Sequence, residues 1–154
     1  MNVGGPAIQV TTLMQGLSKG NIEQLLVTGY CESGEADYLE VNQIDFGEVR
    51  INGLGRSLKP LDDLRAFFKI RSLMKKYKPD IVHTHTAKAG VLGRVAASTV
   101  KRSFLRVHTF HGHLLYGYFN KWKTALVILL ERFLAKRTDA LIAVGERVAD
   151  DLLS

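Results

Sequence analysis

Five histidines, His83, His85, His108, His111 and His113, fall within 31 residues of this chain. They sit in two stretches, HTHTAKAG (83 to 90) and VHTFHGH (107 to 113). Imidazole changes charge near neutral pH. A cluster of this kind can move protons, steady developing negative charge or ligate a metal. A zinc ion held by His83 and His85 needs a further ligand or two, and neither stretch contains a Cys, Asp or Glu. The alternative for His83 is a buried, hydrogen-bonded strand residue. His111 stands just before Gly112, where it could donate to a diphosphate.

The elements around these stretches decide what the histidines can reach. DIVHTH (80 to 85) reads as a buried-type strand. The two-residue period puts Val82 and Thr84 on one face and His83 and His85 on the other. FLRVHTF (104 to 110) reads as the next strand, and residues 89 to 100, rich in small side chains, as the helix between them. His85, Thr86 and His111 then fall at the carboxyl ends of strands, where open α/β sheets bind ligands.

The rest of the chain follows the same alternation. Pro6 to Lys19 reads as a helix with Val10, Leu13, Met14 and Leu17 on one face, Pro6 in the first turn and Gly20 at the stop. IEQLLVTGY (22 to 30) reads as a strand, CESGEAD as a polar loop, and residues 44 to 54 as a weaker strand region. A helix runs from Pro60 to Pro79 with Leu61, Leu64, Phe67, Ile70, Met74 and Tyr77 at helical spacing. A loop rich in Gly, His and Tyr reaches about 119. Helix 121 to 136, strand 140 to 144 and helix 145 to 153 complete the pattern. Strands alternating with helices predict an α/β domain with a mainly parallel, Rossmann-like sheet and helices on both faces.

Composition narrows the partners. Apolar residues make up 46% of 154, which suits a folded domain rather than a disordered chain. The formal net charge is +6. Residues 56 to 80 carry eight Lys or Arg against three Asp, and residues 101 to 137 carry eight against Glu131 alone. Solvated helix faces would account for this, and so would an anionic partner such as phosphate groups or a membrane surface. LLYGYFNKWK (114 to 123) interleaves aromatic rings with lysines, as at a membrane interface. No nucleic-acid-binding motif accompanies it, so nucleic acid is not an expected partner. The single Cys31 allows no internal disulfide, and no signal-peptide pattern opens the chain. A cytoplasmic protein, peripheral to the membrane at most, is expected.

Gly4 and Gly5 in NVGGPA form a turn at a helix start, where backbone can approach an anion. In a doubly wound domain such a turn follows the first, central strand. That strand is expected to be missing, with a gap between the strands at 22 to 30 and 80 to 85. Glu32, Glu40 and Glu48 repeat at eight-residue intervals in polar segments and are read as chance.

NVGGPA, GLGRSLKPLDDL, PDIVHTHTAKAGVLGR, VHTFHGH…GYF and ERFLAKRTDALIAV occur in this order over nearly the whole chain. Together they resemble the N-terminal domain of bacterial retaining glycosyltransferases of family four, which have the two-domain GT-B architecture. The resemblance implies a cleft between two Rossmann-like domains, with most of a UDP- or GDP-sugar held by the C-terminal one. It implies that Gly4 and Gly5 approach the donor diphosphate and that His111 lies near the donor sugar as the catalytic histidine. It places His85, Thr86, Lys88 and His113 on the acceptor side, facing a glycan or lipid-linked acceptor of polysaccharide assembly. Transfer in such enzymes needs no metal ion or other cofactor. This chain departs from the pattern in lacking the first strand and the C-terminal domain, and in carrying Gly145 where Ser is usual. Residues 1 to 154 alone are therefore expected to transfer no sugar, or to act as a binding subunit beside a separate C-terminal-type chain. A histidine-cluster metalloprotein is the remaining alternative.

Overall fold

The structure is a computed structural model that describes residues 1–55, 57–112 and 121–153, with the backbone alone for 121–124. His113 and the aromatic loop 114 to 120 lie outside the described residues. The chain divides into two compact units, Met1–Ala66 and Phe67–Ser154.

The first unit holds α1 (Gly5–Ser18), β1 (Val27–Thr28), α2 (Tyr38–Val41) and β2 (Val49–Arg50). Its core joins Val10 and Met14 of α1 to Leu26 and Leu39, with Met1, Ile44 and Phe46 around them. The buried stripe of α1 is Ala7, Val10, Thr11 and Met14. Leu13 and Leu17, expected on that face, are exposed instead. The i, i+3, i+4, i+7 set that faces a core needs only four positions, and here it begins one turn earlier. β1 pairs in parallel with β2 over two residues. It is far shorter than the nine-residue strand expected, and among the described residues β2 is its one ladder partner. The unexpected helix α2 starts at Asp37, whose carboxylate accepts from the Leu39 N–H at 2.9 Å. The same carboxylate meets Arg50 at 2.5 Å and so ties α2 to β2.

The second unit is built on β3 (Ile81–His85), β4 (Leu105–Phe110) and β5 (Ala140–Ala143), parallel and in that order. Helix α3 (Pro60–Tyr77) enters it, with Ile70 and Met74 buried. α4 (Ala87–Ser98) lies on β3 and β4, α5 (Lys121–Ala135) touches α4, and α6 (Glu146–Leu153) packs on β5. The class is thus α/β with parallel strands, as the alternation predicted. The described strands form two sheets rather than one, β1–β2 in the first unit and β3–β4–β5 in the second.

Two glycines explain how α4 comes so close to the strands. A Cβ at Gly93 would stand 2.7 Å from Thr84 Cγ2, and one at Gly90 would press into the His108 ring. The small residues of AKAGVLGR are therefore a packing surface. Arg94, on the same face, is almost fully buried and sends Nη2 to both oxygens of Glu131 on α5, at 2.8 and 2.7 Å. Its Nε donates to the Gly90 carbonyl at 3.1 Å. The ion pair fixes α5 against α4.

Candidate functional site

β3 and β4 run in parallel with His83 opposite Val107, Thr84 opposite His108 and His85 opposite Thr109. Alternation sorts their side chains into two sets. On the α4 side, Thr84 Oγ1 lies 2.8 Å from His108 Nδ1, and the His108 ring meets Phe110 edge-on. His108 is completely buried. On the opposite side, His83 Nε2 lies 2.7 Å from Thr109 Oγ1. The His83 ring stacks over His85 with centroids 4.2 Å apart. His85 Nδ1 then reaches His111 Nε2 at 3.0 Å.

The structure therefore brings together two predicted residues from separate motifs, His85 and His111, at the carboxyl ends of adjacent strands. His83 takes the hydrogen-bonded strand position, and its ring orients His85. Sequence reasoning counted His108 in the histidine cluster without giving it a role of its own, and it passed over Thr109. The alternation that places His83 outward also assigns His108 to the α4 side, so the signal was present.

Burial governs the protonation of the cluster. It lowers the pKa of His85 to about 3, with further lowering by His83, His111 and His108. It lowers His108 to about 3 as well, with Arg94 adding to the effect and the Thr84 contact opposing it. His83 is lowered by burial and by His111, and His111 by burial. His85 and His108 are neutral at pH 7, and burial biases His83 and His111 toward the same form, because an imidazolium loses hydration in this setting without a carboxylate to replace it. A neutral pair joined by one N–H leaves its other ring nitrogens to set each tautomer.

Thr86 follows directly. Its φ of 63° and ψ of 166° lie in a region that β-branched residues rarely enter. It occupies the N-cap of α4 without making a side-chain cap, and it is exposed. The strain sits at the strand end, beside the histidine pair and at the positive end of a helix of 12 residues. Lys88 lies half-buried in the first turn of the same helix. Gly4 and Gly5 belong to the first unit, at the start of α1, where a Cβ on Gly5 would meet nothing within 4 Å. Among the described residues, no group of three His, Cys, Asp or Glu side chains is arranged to hold a metal ion.

Two motif histidines joined at the end of a parallel strand pair, behind a strained helix entry, can be set beside known proteins. Residues 3–154 match the domain described as Glycosyltransferase Family 4. The chain belongs to glycosyltransferase family 4. This family-4 domain is similar to the Escherichia coli UDP-Gal:alpha-D-GlcNAc-diphosphoundecaprenol alpha-1,3-galactosyltransferase. The two are 32% identical over 147 residues, which cover 89% of this chain and 37% of that protein. It is also similar to the Staphylococcus aureus capsular polysaccharide biosynthesis glycosyltransferase CapM, at 27% identity over 119 residues, 77% of this chain and 31% of that protein. The chain thus spans about a third of the length of these curated relatives. No helix among the described residues of the domain is long and apolar enough to cross a membrane.

Proposed function

We propose that this family-4 domain is the acceptor-side half of a retaining, GT-B-type glycosyltransferase. The reaction moves a sugar from a UDP- or GDP-sugar to a glycan or lipid-linked acceptor in polysaccharide assembly, at the inner face of the cell membrane. The donor would be held mainly by a C-terminal domain of the same protein or by a partner chain, so the isolated domain transfers no sugar. The observation that carries the reading is the His85–His111 contact at 3.0 Å at the strand ends. It gives a neutral, oriented ring that can donate to a diphosphate oxygen without placing a second charge in the site. The E. coli relative's name specifies UDP-Gal as donor, whose leaving UDP carries such a diphosphate, and a separate diphosphate-linked lipid as acceptor.

In this reading His111 serves the leaving diphosphate, and His85, Thr86 and Lys88 border the acceptor, together with His113. Gly4 and Gly5 leave room for the donor diphosphate, because among the described residues nothing stands within 4 Å of a Cβ on Gly5. No metal ion takes part. The test uses the full-length protein with UDP- and GDP-sugars and a diphosphate-lipid-linked saccharide. His111→Ala is expected to lower kcat by roughly 100-fold or more with the fold intact. A kcat equal to that of the parent would remove His111 from the chemistry.

A further inference from the structure

We propose that the cleft between the ends of α3 and α4 binds a soluble, phosphate-rich anion of the triphosphate class. Arg71, Lys75 and Lys78 at the end of α3 meet Lys101 and Arg102 of the turn after α4 around one cleft of about 420 Å³, all within the second unit. α3 ends just before β3 begins, and α4 just before β4. The cleft therefore lies at the amino ends of these strands. The His85–His111 pair stands at their carboxyl ends, a strand of five residues or roughly 15 Å away. The inference stands independently of the sugar-transfer reading, which uses that other end.

Two features separate this cluster from an ordinary solvated helix face. Lys75 suits the negative end of α3 by its position alone. Lys78 does not. Its φ of 55° is left-handed, at the helix end where glycine is usual. The turn closes through the Lys78 N–H, which donates to the Met74 carbonyl at 3.0 Å. Glycine would hold that turn without strain, so the backbone supplies no reason for lysine there. The second feature is Arg71, half-buried, whose Nε donates to Thr99 Oγ1 at 3.0 Å. That bond joins the two walls and orients the guanidinium. The Arg102 N–H donates to the carbonyl of buried Val100 at 2.9 Å and folds the far wall into a tight turn.

Among the described residues, no acid lines the cleft. Arg102 pairs with Asp80 at 3.7 Å, but that carboxylate is 98% exposed and screened by water. No carboxylate among the described residues pairs with Lys75, Lys78 or Lys101. Five cations around one cleft repel each other until an anion of several charges enters. Phosphate oxygens are the acceptors that guanidinium and ammonium groups match. The described lining offers no aromatic ring for a base to stack on, and Val100 is its one apolar side chain. Neither a nucleic acid nor an acyl chain finds its usual contacts there.

The experiment is thermal unfolding of the chain in inorganic triphosphate and in sulfate at matched ionic strength, with titration calorimetry for affinity. Triphosphate should raise the midpoint beyond sulfate, because it binds the folded cleft alone. Arg71→Gln and Lys78→Gly should each weaken the triphosphate Kd by about tenfold. Lys78→Gly also relieves a left-handed turn, so without ligand it should melt no lower than the parent. Lys136→Gln, at a basic position on α5, should bind as the parent does. Equal midpoints in triphosphate and sulfate would overturn the proposal. So would a Kd unchanged in both cleft variants, or a loss in Lys136→Gln as large as theirs. Binding of the parent to phosphatidylglycerol vesicles but not to triphosphate, lost in the cleft variants, would overturn it too and assign the cleft to a lipid headgroup.

Discussion

His85 Nδ1 and His111 Nε2 share one hydrogen bond at 3.0 Å, so one of the two nitrogens carries the proton and the other accepts it. The contact cannot survive with both rings doubly protonated. Folded-state values below the ordinary 6.5 mean that the unfolded chain binds protons that the native cluster refuses. Stability then rises with pH across this window. The contribution is fully present above about pH 6.5 and is lost progressively as pH falls toward about 3, where His85 and His108 protonate. Urea midpoints measured from neutral pH downward should fall through this range. A midpoint that stays level from about pH 7 to about 5 would contradict the burial of these rings.

The Arg94–Glu131 pair predicts a large stability effect from a residue remote from the strand ends. Arg94→Ala leaves a carboxylate that is only 12% exposed without its partner. The expected cost is about 3–5 kcal/mol in urea unfolding. Glu131→Gln retains shape and an acceptor oxygen, so it should cost less. If Arg94→Ala costs under about 1 kcal/mol, the pair behaves as a solvated surface bridge.

Glycines give an internal comparison. Gly16 lies exposed within α1, and a Cβ there would meet nothing within 4 Å. Gly16→Ala should stabilise by about 0.5–1 kcal/mol through helix propensity alone. Gly90→Ala receives the same propensity gain but drives a methyl group into His108. A net loss of about 1–3 kcal/mol is expected. Thermal unfolding of both variants checks the opposite signs. Equal signs would mean that α4 does not sit closely on β4.

Much of this was legible in the sequence, for reasons visible at particular residues. Pro60 and Pro79 bracket α3 so tightly that its observed span, Pro60–Tyr77, needed no tertiary information. His85 and His111 could be expected to meet because both end neighbouring parallel strands of one alternating pattern. Helix α2 was missed although Asp37 and Glu40 stand at the three-residue spacing of an N-terminal capping motif. The length of β1 was not legible, because ladder length depends on what lies beside a strand and not on its own residues. The Thr86 conformation could not be read either: nothing about threonine favours a φ of 63°, and the strand end and helix start impose it from both sides.

Thr86 also supplies a prediction that separates strain from structure. Glycine adopts this backbone region freely, so Thr86→Gly should raise stability or leave it unchanged, by up to about 1–2 kcal/mol. If Thr86 borders the acceptor as proposed, the same variant in the full-length protein should raise the acceptor KM while the donor KM holds. Gly5→Val is the reciprocal case. Its side chain would extend into space that no described residue occupies within 4 Å of the Cβ. Its effect should fall on the donor KM, with the acceptor KM unchanged. Paired steady-state titrations of donor and acceptor read both variants. If the two KM values shift together in each, the turn before α1 and the entry to α4 do not serve separate substrates.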